Sequence, residues 1–360
     1  EPRIDFKDDA KGALKLEPSR TNLITYSEDF SNAYWTKDGA SVTDGQSSLD
    51  GKTNAYKLTE GSNNGVHRVG RAVFSANVER TFSVFAKKGE RNFISLFENN
   101  TASPAIKGVI FNLDNGTYYN NNSSFYSNVK IELISNGWYR CSATSNNSGL
   151  QVPSIGVSAD GLTNSYQGDG TSGVYIYGAQ LEQGSYATSY IPTSGQSGGV
   201  TRVADACFNG GNEQVINSTE GVLYAEIAPL ANDLTNRHIG IGDNTNANRL
   251  QIFFNTYGTT QIRTLNLVNS VKYFDMQANV TLVNGYAKVA VKYKENDFAL
   301  WVNGVEAATD NSGLVWSNGV LDTLKFSDGN NASPFYGNAK DVRLYNTALT
   351  DSELATLTTI

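Results

Sequence analysis

Residues 173–191 read GVYIYGAQLEQGSYATSYI, and the fold follows from how that stretch must sit. From Val174 to Leu181 apolar side chains fall on both faces with no charge among them, the pattern of a strand buried on two sides. A polar loop, Pro192 and then SGQSGG follow, and that last run has nothing to pack. The stretch therefore closes one folded unit and leads to another. Upstream lie NLITYS, TNAYKLT, RTFSVFAKK, NFISLFE, KGVIFNL, VKIELI and GWYRCSAT, short β-type runs. Turn residues separate several of them, at Lys88-Gly89, Asp114-Asn115-Gly116 and Asn136-Gly137. Val129, Ile131 and Leu133 share one face of their run, Lys130 and Glu132 the other. Strands at this spacing, without a helix of useful length, predict a jelly-roll β-sandwich.

Downstream, GVLYAEIA, RHIGIG, RLQIFFN, QIRTLNL, VKYFDM, YAKVAVKYKE, FALWV, VEAA, LDTLKFS and AKDVRLYN form a second series. Ala287, Val289, Val291 and Tyr293 face one way, Lys288, Lys292 and Lys294 the other. Asn303-Gly304 between FALWV and VEAA is a two-residue hairpin signal. Thr350-Asp351-Ser352-Glu353 is a capping box that opens a short helix ending near Leu357. The expected architecture is all-β: two β-sandwich (jelly-roll) domains in tandem with one short C-terminal helix. We place an N-terminal arm or hairpin at residues 1–20, a first sandwich at 21–192, a linker at 193–213 and a second sandwich at 214–360.

A net charge of −7 disfavours a phosphate-backbone partner, so no nucleic acid is expected. No apolar run approaches the ~18 residues that span a bilayer, so no membrane insertion is expected. The opening EPRIDF is not a basic–apolar leader; either one has been removed or the chain is a piece of something longer. Cys141 alternates with Tyr139 and Ala143 and reads as a small buried side chain. A bridge to Cys207 would have to join the two units, so both are expected as free thiols.

Five stretches carry resemblances. LEPSRTNLITYSEDFSNAYWTK, GAQLEQGSYATSYIPT and TRVAD, spread over residues 15–205, resemble a module of bacteriophage tail and fibre proteins. That module is similar to the jelly-roll carbohydrate-binding modules of secreted glycoside hydrolases. WVNG at 301–304 and YGNAKDVRLYNTALTDSEL at 336–354 resemble the concanavalin A-like class of laminin-G and pentraxin kind. The first resemblance implies polysaccharide recognition on a virion surface, with a trimer as the fitting assembly. Related carbohydrate-binding modules often hold a structural calcium through an aspartate in the closing strand; Tyr177 stands at that place here.

Sugar-cleaving sandwiches work through carboxylate pairs, and concanavalin-like glycosidases present them in an E-x-D-x-x-E run along one strand. No run here has it: Glu220 and Glu226 have no acid between them, and Asp322 and Asp328 sit at the ends of theirs. A lyase needs a base with Arg and an amide to neutralise a uronate. His238, Arg249 and Gln251 alternate off an apolar core and could form such an outward face, or a plain hydrated one. Asp328 and Asp243 head oxygen-rich loops that suit either turns or a calcium ion.

Aromatic side chains suit a sugar binder better, because a pyranose stacks its C–H face on an indole or phenol. Tyr34, Trp35, Tyr118, Tyr119 and Tyr126 lie in or beside loops of the first unit; in the second, Trp301 alternates away from Phe298, Leu300 and Val302, and Trp316 sits in the loop LVWSNG. Each is also readable as core. The expected function is non-catalytic recognition of polysaccharide or a cell-surface glycan, extracellular or on a phage tail. No cofactor is required on this reading, calcium being at most structural. Two alternatives stand beside it: a polysaccharide lyase or glycoside hydrolase with the second sandwich catalytic, and a purely structural spacer.

Overall fold

The computed structural model describes residues 3–7, 9–71, 78–98, 108–120, 123–145, 152–255 and 258–360. Asp8, within the N-terminal arm, and Asn121 and Asn122, just past Tyr118 and Tyr119, lie outside the described residues. The described chain is all-β apart from the helix Asp351–Thr358. It divides into two compact units, Ser19–Val203 and Glu1–Pro18 together with Ala204–Ile360.

Ser19–Val203 is a sandwich of two six-stranded antiparallel sheets. One runs Thr117–Asn120, Gly108–Asn112, Phe93–Glu98, Pro153–Ser158, Arg68–Gly70, Thr36–Asp38. The other runs Tyr126–Ser135, Trp138–Ser145, Arg80–Lys88, Gly173–Gln183, Ala55–Glu60, Ala40–Gln46. The core between them takes Leu96, Phe111 and Ile155 from the first sheet, and Val84, Cys141, Ile176 and Leu181 from the second. Both cysteines are free thiols.

The closing strand Gly173–Gln183 is buried on both faces as its composition requires, but with a break the sequence pattern hides. Its pairing with Arg80–Lys88 slips between Tyr177 and Gln180. Gly178 sits there at φ +60°, where an added Cβ would press to 3.0 Å of the Tyr190 ring. Val174 and Ile176 face the core before the bulge, Ala179 and Leu181 after it. Tyr177 turns to the opposite face with Ala55, Phe85 and Trp138, which form a small buried cluster there. Leu133 departs from its expected face: it is 58% exposed, next to a second register slip before Ser135.

Ala55–Glu60 pairs with the closing strand only from Gly173 to Ile176. Past the bulge, the opening chain takes over that edge, with Leu23 N donating to Leu181 O at 2.8 Å and Ala179 N to Ser27 O at 2.9 Å. Part of the stretch that reads as linker is held here too. Thr193 is buried, its hydroxyl donating to Ile24 O at 2.6 Å, and Val200–Arg202 pairs with Arg20–Asn22. Glycine and serine content shows chain freedom in isolation, not the backbone partner that removes it.

The other unit has a seven-stranded sheet in the order Arg3–Asp5, Ala13–Leu16, Gly337–Tyr345, Glu220–Pro229, Ala287–Lys294, Phe298–Val302, Val305–Asp310. Its partner sheet runs Val271–Asn279, Gly258–Val268, Arg249–Asn255, Arg237–Gly242, Thr323–Lys325. Arg3–Asp5 and Ala13–Leu16 pair as a hairpin, built into the first of these sheets through Ala13–Leu16 against Gly337–Tyr345. In sequence the other sandwich is therefore inserted within this one. Leu223, Ala225, Ile227, Val289, Val291 and Leu300 point into the core between the sheets.

The opposite face of that seven-stranded sheet carries the helix. Thr350 caps it reciprocally with Glu353, and Leu354 packs on Val222, Tyr224, Ala290, Ala299 and Trp301. Thr350→Ala is expected to cost about 1 kcal/mol. Hydrogen exchange should register it as earlier opening of the amides from Ser352 to Leu354; unchanged exchange there would contradict the cap's role.

Candidate functional site

Most of the aromatic side chains singled out from sequence are interior. Trp35 is 1% exposed, its Nε1 donating to Tyr26 O at 2.8 Å and its ring against Phe30. Trp316 donates to Leu267 O at 2.7 Å inside the second core, and Tyr126 packs on Phe125. Trp301 does alternate away from that core, but the terminal helix covers it. None of these four has a free ring face for a sugar. Tyr34 is half-buried with Arg71 over its ring at 4.4 Å. Tyr118 and Tyr119 keep 49% and 47% of their surface, and Tyr118 lines an open groove of about 560 Å³ with Val129 and Ile131.

The proposed His238, Arg249 and Gln251 face is not a hydrated one. His238 is stacked on Phe253 at 4.3 Å and bonded through Nδ1 to Gln251 Oε1 at 3.2 Å. The backbone of Ser333 accepts from His238 N and Pro334 bridges beside it, which closes that face. Burial pushes the imidazole down to about 4, so it is neutral at ordinary pH. Burial likewise lowers Arg249, whose guanidinium is held by Asn246.

The oxygens read as calcium donors are committed locally. Asp328 Oδ1 accepts from Asn330 N at 3.1 Å and Ala332 N at 2.7 Å. Asp243 accepts from Thr245 N and Oγ1 and from Asn248 Nδ2. The buried Lys325 ammonium takes Gly329 O and Asn331 Oδ1, both at 3.0 Å, the carbonyl-type oxygens a calcium ion would want. This donor set fits a lysine and not a calcium. Tyr177 donates to Glu28 at 2.7 Å.

A different group converges on the outer face of the seven-stranded sheet. Strand register sets Tyr224 between Ala290 and Arg343, and Glu226 between Lys288 and Asp341. Val222 has Tyr345 beside it. With the helix as one wall, these side chains line an open cleft of about 550 Å³, within the range of small-ligand sites. Arg343 lies over the Tyr224 ring at 5.7 Å and donates to Asp341 Oδ2 at 2.5 Å. Hydrogen bonds to Asp341 and Tyr345 raise its already high affinity for the proton. Burial, reinforced by the charges of Glu226 and Asp341, pushes the Tyr224 phenol up, so it remains a hydroxyl donor. The cleft thus presents phenols, a guanidinium and carboxylates around one volume. Along-chain spacing missed it because its residues come from three strands; the KDVRLY run, which carries Asp341, Arg343 and Tyr345, was the available signal.

Residues 211–355, within this unit, match the family model described as the Concanavalin A-like lectin/glucanases superfamily. The match covers that unit and not the chain as a whole. Among curated proteins none matches the chain. Solved structures similar to it include the Ruminococcus gnavus IT-sialidase CBM40 bound to alpha2,3 sialyllactose, at 16% identity and TM-score 0.35, over 43% of this chain and 96% of that one. Another is the heptameric SAP-like pentraxin of Limulus polyphemus, at 12% identity and TM-score 0.35, over 42% and 74%. Domains LG4-5 of the mouse laminin alpha1 chain align at 8% identity and TM-score 0.26, over 97% and 95%.

Proposed function

We propose that the chain recognises glycans without changing them, through the cleft formed by Tyr224, Glu226, Asp341, Arg343 and Tyr345. The observation that carries this is the convergence of phenol, guanidinium and carboxylate around about 550 Å³ of open volume in the unit that matches the lectin/glucanase family. Carboxylate and guanidinium take sugar hydroxyls in charge-assisted hydrogen bonds, while Tyr345 and Leu349 supply apolar surface. Arg343→Ala and Tyr345→Ala are each expected to weaken binding on a glycan array or by calorimetry at least tenfold, about 1.4 kcal/mol. Full affinity in both variants would move the site elsewhere, first to the groove beside Tyr118 and Tyr119.

The phage-type motifs of residues 15–205 support a setting outside the cell, on a tail or fibre surface. There repeated copies, as in a trimer, would multiply a weak single-site affinity. Among the described residues no helix is long and apolar enough to cross a membrane. A hydrolytic reading has one specific observation in its favour: Glu226 and Asp341 are direct cross-strand neighbours. Release of reducing ends from a polysaccharide panel, abolished by Glu226→Gln, would establish that reading over ours.

A further inference from the structure

Resting on that reading of the cleft, we infer that its ligands are neutral saccharides, that Glu226 is the residue that selects them, and that uronate- and sialate-bearing glycans are excluded. The charges around the cleft are mostly spoken for. Arg343 is paired with Asp341. The Lys288 ammonium donates to Thr359 O at 2.9 Å, toward the end of the chain. Glu353 accepts from Thr350 N and Oγ1 at the helix cap. Glu226 is left: half-buried, in the cleft lining, and without an ion pair among the described residues. With Glu226, Asp341 and Glu353 against Lys288 and Arg343, the lining carries one net negative charge.

The Tyr224 phenol lies beside it. That side chain is 2% exposed, lines the cleft, and has no hydrogen-bond partner for its hydroxyl among the described residues. Its hydroxyl opens onto the cleft with its donor uncommitted to protein, so an incoming sugar hydroxyl can take that hydrogen bond in place of solvent. A carboxylate next to an unused phenol suits a vicinal diol. Glu226 accepts from both sugar hydroxyls, and Tyr224 donates to one of their oxygens. A sugar carboxylate in the same place would meet Glu226 as a like charge in a partly desolvated floor; the one guanidinium within reach is already neutralised, and the Lys288 ammonium, still charged, is turned to Thr359 O. Selection here works by repelling the wrong ligand as much as by holding the right one.

The test uses matched pairs on the full chain: lactose against 3′-sialyllactose, and cellotetraose against tetragalacturonate, by calorimetry at low and at physiological salt. At least one neutral member should bind, and its acidic counterpart should bind at least tenfold more weakly, with the gap narrowing as salt rises. Glu226→Gln should weaken the neutral ligand about threefold to tenfold and shrink the neutral-over-acidic preference at least fivefold. Arg343→Ala should weaken neutral binding without restoring the acid. A preference for the acidic member, or a preference unmoved by Glu226→Gln, overturns the inference and leaves glycan recognition standing. No heat with any member of either pair, alongside an empty glycan array, removes the glycan reading itself.

Discussion

Asn22→Ala is expected to unfold the Ser19–Val203 sandwich at temperatures the parent tolerates, with a loss of at least about 4 kcal/mol. Asn22 is fully buried and uses its whole amide on backbone. Its Nδ2 donates to Ala179 O at 3.1 Å and Ile191 O at 2.8 Å. Its Oδ1 accepts from Ile24 N and Leu181 N, each at 3.1 Å. Those groups lie where Ala55–Glu60 has stopped pairing with the closing strand, so the side chain does the work of a missing strand edge. Alanine would leave buried backbone groups unpaired at about 1–3 kcal/mol each, against a typical domain stability of about 5–15 kcal/mol. Asn22→Asp should be nearly as damaging, because it sets a carboxylate oxygen against the two carbonyls. Hydrogen exchange reads each unit separately: protection should collapse across Gly173–Gln183 and persist across Glu220–Pro229. Retained protection at Leu181 would refute the account.

The same network explains why the opening RTNL and the closing GAQLEQGSYATSYIPT go together in the sequence. Glu182, wholly buried, accepts from Gln180 Nε2, Thr188 N and Thr188 Oγ1. Gln180 Oε1 accepts from Ile191 N at 2.7 Å. The paired opening and closing motifs thus form a structural lock between the two ends of a sandwich. Its sequence signature was legible; its purpose needed the bulge at Gly178, which alternation alone cannot show because one extra residue leaves apolar side chains on both faces.

The same limit governed the choice of site residues. Alternation correctly turns Trp301 away from the core at Phe298, Leu300 and Val302, yet the helix that buries it begins at Asp351. His238, Arg249 and Gln251 also leave the apolar core as their spacing demands, and a loop from far along the chain closes over His238. Period-2 patterns report which face a side chain takes, not what covers that face. Glu226 and Asp341 show the converse. Each is an isolated acid on its own strand, and only register makes them neighbours.

Acid should weaken the Ser19–Val203 unit through one pair, and breaking that pair at neutral pH should cost about 3–5 kcal/mol. Glu60, 1% exposed, takes Arg91 in a two-pronged contact, Nε at 2.9 Å and Nη2 at 2.6 Å. Tyr166 donates its hydroxyl to the same carboxylate at 2.6 Å and Asp169 N donates at 2.9 Å. Burial pushes the Glu60 carboxyl up, but the hydrogen bonds from Arg91, Tyr166 and the Asp169 amide outweigh it and hold the group below its usual value. A carboxyl lowered by folding stabilises the fold above its unfolded pKa, near 4.3, and that contribution drains away as pH falls through the folded value. Arg91→Ala strands a carboxylate in the interior, so denaturant midpoints should drop sharply at pH 7 and the two proteins should converge toward pH 3. Glu60→Gln keeps the shape and removes the titration, so it should be destabilised at pH 7 yet show a shallower decline in acid. A steep acid decline that survives Glu60→Gln would assign the effect to other carboxylates, and the pair would then be ordinary packing with charges attached.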